Sequence, residues 1–464
     1  MTDATDDASE GDGLGIILLV VLIDMLGFSL VIPFLTYFIQ DLASGSGFEG
    51  PSIDLWVGVT FAAYSLAQFL FAPLLGALSD RLGRRPIMMF GMVSNSVFFV
   101  MFGITGNLWV ALIARFLAGA GNGTVAVARA SIGDISTPSQ MPKRMGLIGA
   151  SFGLGFLIGP VIGGFLSDPA TSMPWAFSGA WWVAHPYALP CLFSAFLSLI
   201  AFLISVRRLP ETLPLEDRLH GTTGSPLTMA MRSTWSNLTG WLTLPVGLRR
   251  LVLVNFVYTA GFSAMTATFV LLTGLLPSEG GLGFDARQNG YVFTFVGFMG
   301  IVVQGGLIGP LSKRFGPRRL LLAGLLTAGL GLASIPYVRP GYVLLGFAVV
   351  LVLISLGNGL VLPTSSALVA SECRANNRVL GQDMGIYEGY GALSRVIGPL
   401  LGAVIWTQTA QNEGVFDQRT VFWICGALAL CAFLLLKQTT LRSEALPAEA
   451  GSEVRGPSED AVAS

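Results

Sequence analysis

The chain alternates twelve long apolar runs with short polar breaks. The runs lie at about 14–40, 56–78, 86–105, 107–131, 142–168, 187–206, 250–275, 287–311, 320–337, 341–369, 380–406 and 419–437. A helix needs about 20 mostly apolar residues to cross the hydrocarbon of a bilayer, and each run is near that length or above it. They are too long for the strands of a membrane barrel, and open β-structure would leave backbone groups unpaired at that depth. The pattern therefore predicts an all-α membrane protein with twelve transmembrane helices. It divides into an acidic start (1–13), six helices (14–206), a polar linker (207–249), six more helices (250–437) and a tail (438–464) that reads as disordered from its Pro, Gly, Ser, Glu and Ala content.

The two sets of six look like one unit used twice. Gly76–Pro86 reads G-A-L-S-D-R-L-G-R-R-P, and a second copy from Gly309 to Arg319 reads G-P-L-S-K-R-F-G-P-R-R. A-G-N-G-T (Ala120–Thr124) in the fourth run is answered by L-G-N-G-L (Leu356–Leu360) in the tenth. G-P-V-I-G (Gly159–Gly163) in the fifth is answered by G-P-L-L-G (Gly398–Gly402) in the eleventh. Three matched pairs in the same order predict two pseudo-symmetric six-helix bundles, which is transporter architecture.

Charge placement sets an expected orientation. Arg81, Arg84, Arg85, Lys143, Arg144, Lys313, Arg314, Arg318, Arg319, Arg374 and Arg378 fall in one set of loops; the opposite set holds only Arg287, Arg339 and Arg419. By the positive-inside rule both termini are expected in the cytoplasm. The first run follows Asp3, Asp6, Asp7, Glu10 and Asp12, whereas a secretory signal starts with positive charge, so it reads as a retained helix. Trp175, Trp181 and Trp182 place 168–187 at the outer interface, where indoles are favoured.

Composition narrows the function. Only 11% of residues are charged against 53% hydrophobic, too few to cover a water-facing surface, so most of the chain must face lipid. A net charge of -1 argues against a nucleic-acid partner. The four cysteines show neither pairing pattern nor metal spacing, and both histidines, His185 and His220, fall in loops, so no metal or cofactor is expected. With no H-E-x-x-H and no G-x-x-x-x-G-K-[ST], neither a membrane enzyme nor an ATP-driven pump is expected.

These strings carry a family resemblance. Gly76–Pro86 resembles the loop signature of the major facilitator superfamily. Gly155, Gly159, Pro160, Gly163 and Gly164 resemble the fifth-helix signature of its proton antiporters, and Arg115 with Gly119 and Gly121 the R-x-x-x-G of their fourth helix. Asp24-x-x-Gly27 through Pro33 is similar to the first helix of tetracycline/proton antiporters, and Leu209–Thr212 (L-P-E-T) fits the same group. The second loop departs from the first, with Lys313 where Asp80 stands. The resemblance implies the major facilitator fold and proton-coupled export of small amphipathic compounds, drug- or tetracycline-like, by a monomer in a plasma (inner) membrane. A uniporter or symporter for sugars or other metabolites on the same fold is the alternative. It also implies that Asp80 latches onto the start of the eleventh helix, near Gly381, when the protein opens outward.

Each candidate residue has a physical reading. Gly76 and Gly83 allow a tight loop, Arg81 adds to its positive charge, and Arg84 and Arg85 are placed to pair with Asp134. Glycines at 155, 159 and 163 form one stripe on which helices can touch backbone to backbone, and Pro160 is expected to bend that helix. Charges within membrane segments are costly and mark function. Asp24 lies about 15 Å along its helix, near the midplane, where it can take a proton from one side and release it to the other, or else hold a structural ion pair. Arg115 is its expected partner. Arg115, Asn122 and Arg129 recur every seven residues and so are expected on one face, as are Glu388 and Arg395. Arg129 and Asp383 are expected near the cytoplasmic surface, and Asn255, Gln304 and Asn358 are expected to hydrogen-bond between helices.

Overall fold

The structure is a computed structural model. It describes residues 3–442 apart from 138–139, 220–230, 232–233, 237–238, 339–342, 379 and 411–415. His220, Arg339 and the tail beyond Arg442 thus lie outside the described residues, as do parts of the linker.

Twelve helices are long and apolar enough to cross a membrane. In chain order they are α1 (Asp3–Gly45), α2 (Pro51–Leu82), α3 (Arg84–Ile104), α4 (Leu108–Asp134), α5 (Met141–Leu166), α6 (Ala188–Arg208), α7 (Val246–Gly274), α8 (Ala286–Phe315), α9 (Pro317–Ser334), α10 (Val343–Ala375), α11 (Leu380–Thr409) and α12 (Thr420–Lys437). The described residues contain no strand. Local chemistry starts the helices at the turns. Asn107 accepts from the backbone N–H of Trp109 (2.9 Å) and Val110 (3.2 Å) to open α4. Asp285 and Gln288 exchange bonds of 2.7 and 2.9 Å to open α8, which satisfies amides that a helix start would leave bare.

Two helices are irregular. α4 breaks at Asn122–Gly123 before resuming at Thr124. α8 widens into a π-helical stretch over Val302–Leu307. Pro160, expected to bend α5, does not interrupt it: the helix runs unbroken from Met141 to Leu166.

Packing repeats between the halves. α5 lies on α1 as α11 lies on α7, and α3 lies on α6 as α9 lies on α12. The halves meet along α2 with α11 and α5 with α8. A methyl at Gly164 would meet the Ala286 carbonyl at 2.8 Å, and one at Gly290 the Pro160 carbonyl at 2.6 Å. Gly58 is pressed in the same way against the Pro399 carbonyl. All three lie toward the end of the bundle away from the termini. Toward the terminal end the seam parts: Gly76, Gly146, Gly149, Gly305, Gly306, Gly309 and Gly381 have open space where a side chain would go. The space between the halves is therefore closed at one end and open at the end carrying the basic loops.

Between α5 and α6 the chain makes three short turns, Pro169–Ser172, Pro174–Phe177 and Ala180–Ala184. Trp175 is 86% exposed there, while Trp182 packs edge-on against Phe177 and Trp181.

Candidate functional site

Asp24 is buried within α1 at 4% exposure. Its carboxylate accepts from Asn95 Nδ2 of α3 at 2.7 Å and from Thr124 Oγ1 at 3.3 Å. Thr124 is the first residue after the break in α4, so the break aims this hydroxyl at the acid. The expected partner, Arg115, is elsewhere. Its guanidinium lies 4.5 Å from the Tyr64 ring centroid and 5.7 Å from that of Phe102, and its Nε and Nη1 have no hydrogen-bond partner. Cation–π attraction to these rings, worth about 2 kcal/mol when desolvated, offsets part of the loss of water around it. Asp24 is thus held by neutral donors and Arg115 by aromatic faces, two opposite charges buried in the same half without an ion pair between them.

Of the three residues spaced by seven in α4, Arg115 and Asn122 are buried, while Arg129, beyond the break at Asn122–Gly123, is exposed. Asn122 accepts instead from Gln68 Nε2 of α2 at 2.9 Å.

Arg129, Glu388 and Arg395 are exposed although they sit within membrane-length helices. Arg395 feels the charges of Glu388 and, across the divide between the halves, of Arg129. Glu388 and Arg395 form no ion pair among the described residues. Charges at this depth persist where they face a water-filled cavity rather than lipid. Asp383, expected near the surface, is 1% exposed and accepts from Arg378 Nε and Nη2 at 2.7 and 2.9 Å. That hydrogen bond raises the Arg378 guanidinium above the usual arginine range. Asn358 accepts from Tyr258 at 3.1 Å, a bond between helices as expected, whereas Asn255 accepts from Thr259 of its own helix at 3.4 Å.

The basic loop is a hub built on Arg84. Its guanidinium reaches Asp80 at 2.6 Å, Ser79 Oγ at 2.7 Å and Asp134 at 3.0 Å. Arg85 does not join Asp134; it donates to the Val206 carbonyl at 2.6 Å. Asp80 is not on the start of α11: it bonds Arg84, and its side chain is 61% exposed. Gly83 turns the chain at φ 102°, and a Cβ there would strike Glu211 and Arg218. Glu211, from the L-P-E-T run, accepts from the Arg84 amide at 2.8 Å and pairs with Arg218 at 3.1 Å, so this run caps α3.

The α5 stripe does not line the seam between the halves. Gly155 packs on Met25 and Leu26, Gly159 on Ser29 and the Leu26 carbonyl, and Gly163 on Leu30, all in α1 of the same half. Ser29 Oγ ties the contact by donating to the Gly155 carbonyl at 2.8 Å. Gly164, one residue on, is the member of the motif that faces α8. In the second half Gly398 and Gly402 press on the Ala260 and Ala264 carbonyls of α7 in the same manner. This correspondence aligns Leu26 with Ala260, and two residues earlier Asp24 with Tyr258.

Asn95 and Tyr64 escaped the sequence reading. An Asn in an apolar run is a weak signal, and tyrosine beside arginine is apparent only once α2 and α4 pack. Among the described residues no group of three His, Cys, Asp or Glu could hold a metal, and no cysteine is paired.

Twelve spanning helices in two similar halves, parted at one end and carrying charge in the gap, define a membrane transporter. Residues 17–399 match the family model of the Major Facilitator Superfamily, and the chain belongs to that family. It is 27% identical to the tetracycline resistance protein, class B, of Escherichia coli, over 91% of this chain and 94% of that protein. It is 30% identical to major facilitator superfamily domain-containing protein 10 of Mus musculus, over 92% and 93%. Among solved structures, the human organic anion transporter MFSD10 superposes with a TM-score of 0.65 at 25% identity, covering 92% of this chain and 99% of that one. A D-xylose-proton symporter superposes at 0.70 with 16% identity, covering 94% and 99%, a likeness of fold alone. The chain is thus a multi-pass transporter of small molecules and not an enzyme.

Proposed function

We propose that the protein is a proton-coupled antiporter that exports small amphipathic compounds, drug- or tetracycline-like, by alternating access. The observation carrying this reading is Asp24, an acid buried in α1 on neutral donors, in the same half as the unpaired cation Arg115. A carboxyl group so placed can take up or release a proton as its surroundings change, and rocking of the helices would bring Arg115 to the ionised form. A proton drives the cycle only if it binds the two conformations unequally, and this pair supplies that inequality. Among the described residues within the spans, two exposed cations, Arg129 and Arg395, stand against one nearby acid, Glu388, which favours cargo with an acidic group, in keeping with the organic anion transporter among the relatives. The basic loops favour an open end and both termini in the cytoplasm, and the reading takes a plasma (inner) membrane and one chain as the working unit. Asp80, Arg81, Arg84, Arg85 and Asp134 then form the cytoplasmic hub, with Asp80 free to reach α11 when that end closes.

Inverted vesicles test it. Acid inside should drive uptake of an organic-acid dye or a tetracycline, and Asp24→Asn should abolish the uptake while leaving protein levels intact. Uptake that needs the opposite gradient would identify a symporter, and uptake indifferent to pH a uniporter.

A further inference from the structure

At the closed end, among the described residues, hydrogen-bonded contacts at two places cross from one half to the other. Asp54 of α2 accepts from Trp406 Nε1 of α11 at 2.8 Å, while its second oxygen accepts from Gln40 Nε2 of α1 at 2.7 Å. Tyr37 of α1 donates to the carbonyl of Phe284, just before α8, at 2.6 Å and accepts from Asn289 Nδ2 of α8 at 2.8 Å. Asn289 is itself held by Thr273 of α7 at 2.8 Å. Trp406 is 1% exposed and Asn289 fully buried in this conformation, so while the halves are together these polar groups are satisfied by each other rather than by water. Around them Gly58 and Gly274 bring backbone and ring into contact, the former under Pro399 and the latter against Tyr37. None of these residues belongs to the loop or helix motifs read from the sequence.

We infer that Asp54–Trp406 and Tyr37–Asn289 are the two bolts of the gate at the closed end, made in the conformation seen here and broken each time the transporter opens to that side. The inference needs alternating access and nothing about the proton or the cargo. Gln40 turns Asp54 so that one oxygen faces the indole, and Thr273 turns Asn289 so that its amide faces Tyr37. Each bolt thus has a support from within its own half.

The test reads accessibility from both sides of the membrane. In a protein whose four native cysteines are replaced, Ala403→Cys reports the gate, since Ala403 is 1% exposed beneath Gly58. Ala126→Cys reports the open end, since Ala126 is exposed one turn before Arg129. A membrane-impermeant maleimide is applied to right-side-out and to inverted vesicles. Trp406→Phe and Tyr37→Phe should each raise labelling of the gate reporter by roughly tenfold and lower that of the open-end reporter, because a hydrogen bond to a charged or buried partner is lost. Asp54→Ala with Trp406→Phe should be no worse than the worse single change, as for two residues acting through one bond. Unchanged labelling of the gate reporter in both single variants, or a rise at both reporters together as loosened packing would give, overturns the inference. Because no cargo or pH gradient is used, failure here leaves the antiport reading intact, and failure of antiport leaves the gate intact.

Discussion

Asp24 and Tyr258 occupy equivalent places in the two halves, two residues before the carbonyls that receive Gly159 and Gly398. The first is an acid between Asn95 and Thr124; the second is a phenol bonded to Asn358. The same packing frame therefore carries an ionisable site in one half and a neutral one in the other. Helix-on-helix contact through small residues is what the repeat preserves; the chemistry inside it is free to diverge. The largest expected effect follows directly. Asp24→Asn should abolish pH-driven transport, whereas Tyr258→Phe, which loses one hydrogen bond worth about 1 kcal/mol, should leave coupling in place and lower only stability. Equal loss of pH-driven flux in the two variants would put coupling in both halves.

The loops diverge in the same way. Arg84 ties α2, α3 and α4 together through Asp80, Ser79 and Asp134. Its counterpart region has Lys313 in place of the acid, and Arg318 donates to the Thr439 carbonyl at 2.6 Å instead. Arg84→Ala removes a cation whose side chain is 11% exposed and leaves Asp134 with Thr212 alone, a loss of about 2 kcal/mol. Arg318→Ala removes bonds to backbone carbonyls, about 1 kcal/mol. Thermal unfolding in detergent should rank the two in that order, and the reverse order would deny the first loop its role as a hub.

Where the halves share a contact, they still differ in its closeness. Gly163→Ala drives a methyl far inside contact with the Leu30 carbonyl, whereas at Gly402 it meets the Ala264 carbonyl at 2.9 Å. Both should destabilise, by about 1–3 kcal/mol as overpacking of a close seam usually does, with Gly163→Ala the larger. The reverse order in the same unfolding measurement would show that the α1–α5 contact is not the tighter of the two.

The twelve helices and the doubling were legible because both are written in periodicity and spacing: apolar length sets the spans, and the repeats of G-N-G and G-P-x-x-G mark equal places. The partners were not. Arg115 was assigned to Asp24 on sign of charge alone, but Tyr64 and Phe102 come from other helices and cover it first. The glycine stripe was legible as a stripe, yet its direction depends on helix rotation, and it faces α1 rather than the opposite half. The break in α4 at Asn122–Gly123 was not legible, and Arg129 beyond it is exposed. Asp54 and Trp406 lie 352 positions apart, a separation no local pattern spans.

The smallest effect separates backbone strain from collision. Gly83 and Gly316 turn the two loops at φ 102° and 76° with ψ of 158° and 157°, a region open essentially only to glycine, where a side chain costs of order 1–3 kcal/mol. Alanine at either position suffers that strain. At Gly83 the added methyl also meets Glu211 and Arg218, the pair that caps α3, whereas at Gly316 nothing lies within 4 Å. Gly83→Ala should therefore destabilise more than Gly316→Ala by the part of the Glu211 contact that is displaced, about 1 kcal/mol. Combining Gly83→Ala with Glu211→Ala should reduce that excess to the part that Arg218 contributes, since the capping bond can be lost only once. An excess that survives the double change undiminished would remove Glu211 from the hub.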